Sequence, residues 1–116
     1  MKLKTVLLGI ENLKTRGNLD IEILNIKNDS RTVAKGDMFV AISGFESNGH
    51  EHMKEACENG AIVIMAQTNQ VSKEMIDELP EDVTIILAED TRYALAISSC
   101  NFYENPSKKL KLIGVT

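Results

Sequence analysis

The chain has 116 residues, 43% of them apolar and 26% charged, with aromatics at 4%, no Trp and a net charge of −4. That length supports one domain, and its core has to be aliphatic. The acidic balance excludes a general nucleic-acid or anionic-membrane surface, which needs an excess of Lys and Arg. The densest basic cluster, Lys108, Lys109 and Lys111, reads as a solvated chain end. The apolar stretch from Leu3 to Leu8 is too short for a signal sequence or a membrane span. Cys57 and Cys100 lack metal-like spacing and read as free thiols in a reducing cytoplasm.

In chain order, Leu3, Val6, Leu7, Ile10 and Leu13 recur at helical spacing and predict an amphipathic helix over residues 2–13, broken by Gly17-Asn18. Alternation from Ile21 through Ile23 to Ile26 predicts a strand, with a turn at Asp29-Ser30. Met38 to Ile42 is a continuous apolar run, as in a strand covered on both faces. Ser43 to Gly49 is a loop by composition. A helix starting near Gly49-His50 carries Met53, Ala56 and Cys57 inward and closes at Asn59-Gly60. Buried strands are predicted at Ala61–Ala66 and Val83–Leu87, separated by a short helix capped by Ser72, carrying Met75, Ile76 and Leu79 and stopped by Pro80. A longer helix, capped by Asp90 or Thr91, runs through Phe102 to the break at Pro106-Ser107, and Leu110–Thr116 reads as one more strand. Together these predict a three-layer α/β fold: a sheet of mostly buried strands with helices on both faces. Such sheets bind ligands at loops beyond the carboxyl ends of their strands, here the segments after Ile26 and after Ile42.

Ser30 offers a donor and an acceptor at a strand end, near the Gly44–Gly49 loop. Glycines there let backbone approach a ligand, and a following helix N-terminus offers N–H groups to an anion, which favours a phosphate or diphosphate. The same residues also serve as plain turn residues. Arg31 is placed either to pair with Asp29 or to reach a ligand phosphate. His50 and His52, two apart, do not share a helix face and make a poor metal pair. His50 reads instead as a residue that fixes the loop by hydrogen bonding. Cys57 lies on an apolar helix face and reads as packing rather than a nucleophile. No catalytic group is visible.

The segment from Asn28 to Ala61 contains Asp29-Ser30-Arg31, Gly36-Asp37-Met38-Phe39-Val40-Ala41, then Gly44 followed by Asn48-Gly49-His50, and finally Gly60-Ala61. It resembles the N-terminal domain of the Mur ligases, which build the peptidoglycan stem peptide and carry D-S-R, G-D-x-F-V-A, G-x-x-x-D/N-G-H and G-A. Asn48 stands where Asp is commoner. Asp90-Thr91-Arg92-Tyr93-Ala94-Leu95-Ala96 matches the family's D-T-R-x-A-L-A helix start, and the stretch from Asn101 to Thr116 is similar to the member that adds the third residue, lysine or diaminopimelate.

The resemblance implies that residues 1–110 form a domain anchoring UDP-MurNAc-L-Ala-D-Glu and that 111–116 begin a central ATPase domain. A Gly-Thr-x-Gly-Lys-Thr loop would follow there, so an excised N-terminal domain is expected, inactive alone, with its partners being its own central and C-terminal domains. It binds no cofactor itself; ATP and Mg²⁺ belong to the full-length enzyme, where the D-Glu carboxylate becomes an acyl phosphate attacked by an amine. By resemblance Ser30 contacts the diphosphate region, Arg31 lies beside it, and Asn28 with Gly44, Phe45, Glu46 and Ser47 lines the uridine. Neither nucleic acid nor membrane is an expected partner. The alternatives are the D-Ala-D-Ala-adding ligase of the same family and an α/β interaction domain without a small ligand.

Overall fold

The computed structural model describes residues 1–44 and 48–103. Alternation inside the apolar runs decides its architecture, because successive strand side chains point to opposite faces. Met38, Val40, Val63, Met65, Ile86 and Ala88 pack on one side of the sheet, with Leu3, Val6 and Ala94. Phe39, Ala41, Ile64, Ala66 and Ile85 pack on the other, with Met53, Ala56 and Leu79. Runs that looked uniformly apolar therefore feed two cores, one on each face. Burying a large aliphatic side chain contributes on the order of 1.5–3 kcal/mol, so both faces have to be covered.

Among the described residues the sheet has five strands in the order β1-β5-β4-β3-β2. Strands β2 (Ile26–Lys27), β3 (Met38–Val40), β4 (Val63–Gln67) and β5 (Thr84–Ala88) are parallel, and β1 (Lys14–Arg16) joins β5 antiparallel. Helices α1 (Leu3–Val6) and α4 (Thr91–Tyr103) supply the first core, while α2 (Met53–Glu58) and α3 (Lys73–Asp77) lie on the second side. Ser72 caps α3 by accepting from the Met75 N–H. Asp90 caps α4, its Oδ1 accepting from Arg92 N at 2.9 Å and Tyr93 N at 3.2 Å.

Three expected elements differ. The helix over 2–13 shrinks to Leu3–Val6, because Gly9 (φ 86) and Asn12 (φ 60) take left-handed backbone that no helix tolerates. Its apolar residues still reach the core, and its first N–H groups bond the carbonyls of Ile21 and Leu19. The strand over 21–26 narrows to Ile26–Lys27, since the preceding backbone bonds the chain start and Gly36 instead. The helix after Gly49 opens as a 3-10 turn, Gly49–His52, before α2. The strand expected at Leu110–Thr116, the break at Pro106-Ser107 and the boundary at 110/111 lie outside the described residues.

Gly60 ends α2 with the two bonds of a Schellman motif, Gly60 N to Cys57 O at 3.1 Å and Ala61 N to Ala56 O at 3.0 Å. Its φ is +117, and a Cβ there would lie 2.5 Å from Lys35 Cα. The Gly36 N–H in turn bonds the Gly60 carbonyl at 3.0 Å, which pins the end of α2 to the turn before β3. Gly60→Ala combines backbone strain with a backbone clash. It is expected to cost about 3 kcal/mol or more, read as a lower urea midpoint at unchanged m-value.

Candidate functional site

Strand β4 runs two residues past the last residue of β3 at the carboxyl side of the sheet, where Val40 pairs with Met65. Because β3 leaves the sheet early, space opens beyond its end. A cavity of about 600 Å³ lies there, bounded by Asn28, Asp29, Ser30 and Arg31 on the β2 side. Phe39, Ile42, Gly44 and Gly49 line it from β3 and the following loop, and His52 and Glu55 from the α2 side.

The turn after β2 is held by its own side chains. Asp29 Oδ1 accepts from the Arg31 N–H at 3.0 Å, and the Arg31 guanidinium grips the same carboxylate through Nε at 3.1 Å and Nη2 at 2.9 Å. This paired arrangement lowers the Asp29 carboxyl below its ordinary range, chiefly through the Arg31 side-chain hydrogen bond. Of the two roles open to Arg31, the structure shows the ion pair. Ser30 is buried; its hydroxyl donates to Glu55 Oε1 and its carbonyl accepts from Asn59 Nδ2 at 2.8 Å. Just upstream, the buried Asp37 carboxylate accepts from Lys27 Nζ at 2.8 Å and from Ala34 N at 2.9 Å, tying the end of β2 to the start of β3. An uncompensated buried carboxylate is costly, so both donors matter.

The loop after β3 is fixed at both feet. Ser43 and Asn48 form an antiparallel bridge, and Arg92 from α4 donates to the Ser43 carbonyl at 2.9 Å. Gly49 is glycine for a local reason: a Cβ would lie 2.8 Å from Ile42 N. Its close approach serves the protein's own strand, through a Gly49 N to Ile42 O bond of 2.8 Å. The anion-receiving N–H groups expected after Gly49 are partly spent, because Asn48 takes those of His50 and Glu51.

His50 locks this corner. It is 2% exposed, its Nε2 accepts from the Gln67 N–H at 2.9 Å, and Nδ1 lies 2.7 Å from Asn48 Oδ1. The backbone donor requires a bare Nε2, which places the proton on Nδ1. Cys57 is half-buried, and burial, with Asp82 and Glu58, pushes its thiol up to about 11, so Cys57 offers no thiolate nucleophile.

Four of the residues expected at the site, Asn28, Ser30, Arg31 and Gly44, meet around one cavity. Phe45, Glu46 and Ser47 lie outside the described residues. His52 and Glu55 were not anticipated; their i, i+3 spacing places both on one side of the helical segment facing Ser30.

Residues 22–103 match the family described as Mur ligase family, catalytic domain. The chain belongs to the Mur ligase family, and its fold is that of the family's N-terminal domain. Over its whole length it is 43% identical to UDP-N-acetylmuramoyl-L-alanyl-D-glutamate--2,6-diaminopimelate ligase of Clostridium tetani, covering 23% of that protein. It is 39% identical to the ligase of the same name from Clostridium perfringens, covering 22%, and 41% identical to that of Bacteroides fragilis, covering 23%. The chain thus spans less than a quarter of the length of these relatives. Among solved structures, UDP-N-acetylmuramoylalanyl-D-glutamyl-2,6-diaminopimelate--D-alanyl-D-alanyl ligase from Acinetobacter baumannii superposes with a TM-score of 0.53 at 25% identity, over 70% of this chain and 16% of that one. MurF ligase from Thermotoga maritima in complex with ADP gives a TM-score of 0.50 at 31% identity, over 65% of this chain and 16% of that one.

Burial lowers the His50 pKa from its ordinary value. With its folded pKa depressed, the unfolded chain binds the extra proton first, so stability is full above about pH 6.5 and falls as pH drops through that range. Denaturant midpoints at pH 7.5 and pH 5 are expected to show this loss in the wild type. In His50→Gln the difference between the two pH values should shrink.

Proposed function

We propose that this chain is the substrate-anchoring domain of a ligase that adds diaminopimelate to UDP-MurNAc-L-Ala-D-Glu, and that it holds the UDP portion of that substrate. The observation that carries this reading is the convergence of Asn28, Ser30, Arg31 and Gly44 on one cavity at the carboxyl ends of parallel strands. The names of relatives 38–43% identical over the chain's length supply the substrate and the amino acid. Ser30 and Arg31 are assigned to the diphosphate side, and Asn28, Gly44 and the loop residues Phe45, Glu46 and Ser47 to the uridine.

The contribution to catalysis is positional. Binding a remote part of the substrate orients the reacting D-Glu carboxylate and lowers the entropic cost of reaching the transition state. ATP and Mg²⁺ do not fit the residues of this chain. The sequence has no G-x-x-x-x-G-K-[ST] loop, and among the described residues no group of three His, Cys, Asp or Glu is placed to hold a metal. In this reading both are held elsewhere in the longer ligase, by a central domain that begins near residue 111, and the reaction takes place in the cytoplasm. The D-Ala-D-Ala-adding ligase is the second reading; it is favoured by the solved structures, at lower identity and lower coverage.

Titration calorimetry with UDP-MurNAc-L-Ala-D-Glu is expected to give saturable binding to the 116-residue chain. Ser30→Ala should weaken it about fivefold, the worth of one net hydrogen bond. No ATP hydrolysis is expected from this chain alone. Absence of binding by the folded wild-type chain would remove the anchoring role.

A further inference from the structure

Glu55 stands out in the cavity. Its carboxylate takes the only proton of the Ser30 hydroxyl, and among the described residues it forms no ion pair. The nearest guanidinium on this wall, that of Arg31, is committed to Asp29 through two hydrogen bonds. Among the described residues the carboxylates and guanidinium on the cavity wall are Asp29, Arg31 and Glu55, which sum to one net negative charge. That sign is wrong for a diphosphate.

A hydroxyl has one hydrogen to give. While Ser30 donates to Glu55, it meets the cavity only with lone pairs, which repel a phosphate oxygen and suit a donor. For Ser30 to donate to a phosphate, its O–H has to turn away from Glu55, leaving that solvent-exposed carboxylate with one bond fewer next to the incoming anion. We propose that Glu55 is a positioning residue that sets the direction of the Ser30 hydroxyl and holds the affinity of this site for the diphosphate down. The inference rests on the anchoring role argued above and adds to it the group that tunes that role. A ligase that has to release its product after each turn needs remote binding that is firm but not tight.

Glu55→Gln tests it, because glutamine keeps shape and helix propensity while removing the charge. Its amide can donate to Ser30 Oγ, so the hydroxyl hydrogen is free for a phosphate oxygen. With the 116-residue chain and UDP as the probe, Glu55→Gln is expected to bind about tenfold more tightly than the wild type, chiefly because the freed Ser30 hydroxyl donates to a charged phosphate oxygen, with relieved repulsion the smaller part. Uridine, which lacks the phosphates, should bind both alike, and the gain for UDP should shrink at high salt. In a Ser30→Ala background the same substitution should gain less than about threefold, because the path through the hydroxyl is gone. A residue that only supported the fold would lower affinity when changed and would not separate UDP from uridine. Equal or weaker UDP binding by Glu55→Gln, an equal gain for uridine, or an undiminished gain without Ser30 would each overturn the inference while leaving the anchoring role standing. If neither the wild type nor the variant binds UDP while both melt cooperatively, the anchoring role itself fails and this inference falls with it.

Discussion

The buried imidazole of His50 is the contact on which the open side of this domain depends. Strand β4 runs past β3, so the Gln67 N–H has no strand carbonyl to meet where β3 has turned away. Left bare, that donor would cost on the order of 1–3 kcal/mol. His50 Nε2 fills the gap, and its other nitrogen passes the constraint to Asn48, whose amide reaches Gln70 at 3.2 Å. The cavity exists because β3 ends early, and β3 can end early because a side chain replaces the missing ladder. Gln67 extends the same chain of contacts, its Oε1 accepting from the Thr91 N–H at 3.1 Å. The loops after β3, β4 and β5 are therefore one connected rim.

That rim holds the described loop ends around the cavity in fixed positions. The turn at Asp29–Thr32 is closed by its own ion pair and by the Lys27–Asp37 contact at its root. Asn59 holds the Ser30 carbonyl from the far end of α2, and Gly60 allows that end to press against Lys35. Position in the sheet, rather than any reactive side chain, is what the fold supplies. This accords with the anchoring role proposed above.

Much of this was legible in the sequence, and the exceptions have physical causes. Strands β3, β4 and β5 and helices α3 and α4 follow local patterns, apolar runs and capping residues, that tertiary contacts leave in place. The long first helix misled because Leu3, Val6, Leu7 and Ile10 keep helical spacing even though Gly9 and Asn12 turn the backbone left-handed. Strand β1 escaped notice because Lys14, Thr15 and Arg16 are all exposed and show no apolar alternation. At the site, the D-S-R turn and the glycine loop were readable as motifs. Glu55 was not, since its meaning arises only when α2 packs its polar side against Ser30. The role of Gly49 was half readable: the need for a close approach was clear, but its target, Ile42, depends on the fold.

Strand β1 has a consequence beyond the site. It ends the sheet on one side with three residues, two of them cationic, all turned to solvent. At the other end β2 is only two residues long. A sheet edge is a template for adding foreign strands, and proteins blunt it with brevity and charge. Both devices are present here, one at each margin. Among the described residues the sheet is thus guarded against stacking end to end with copies of itself.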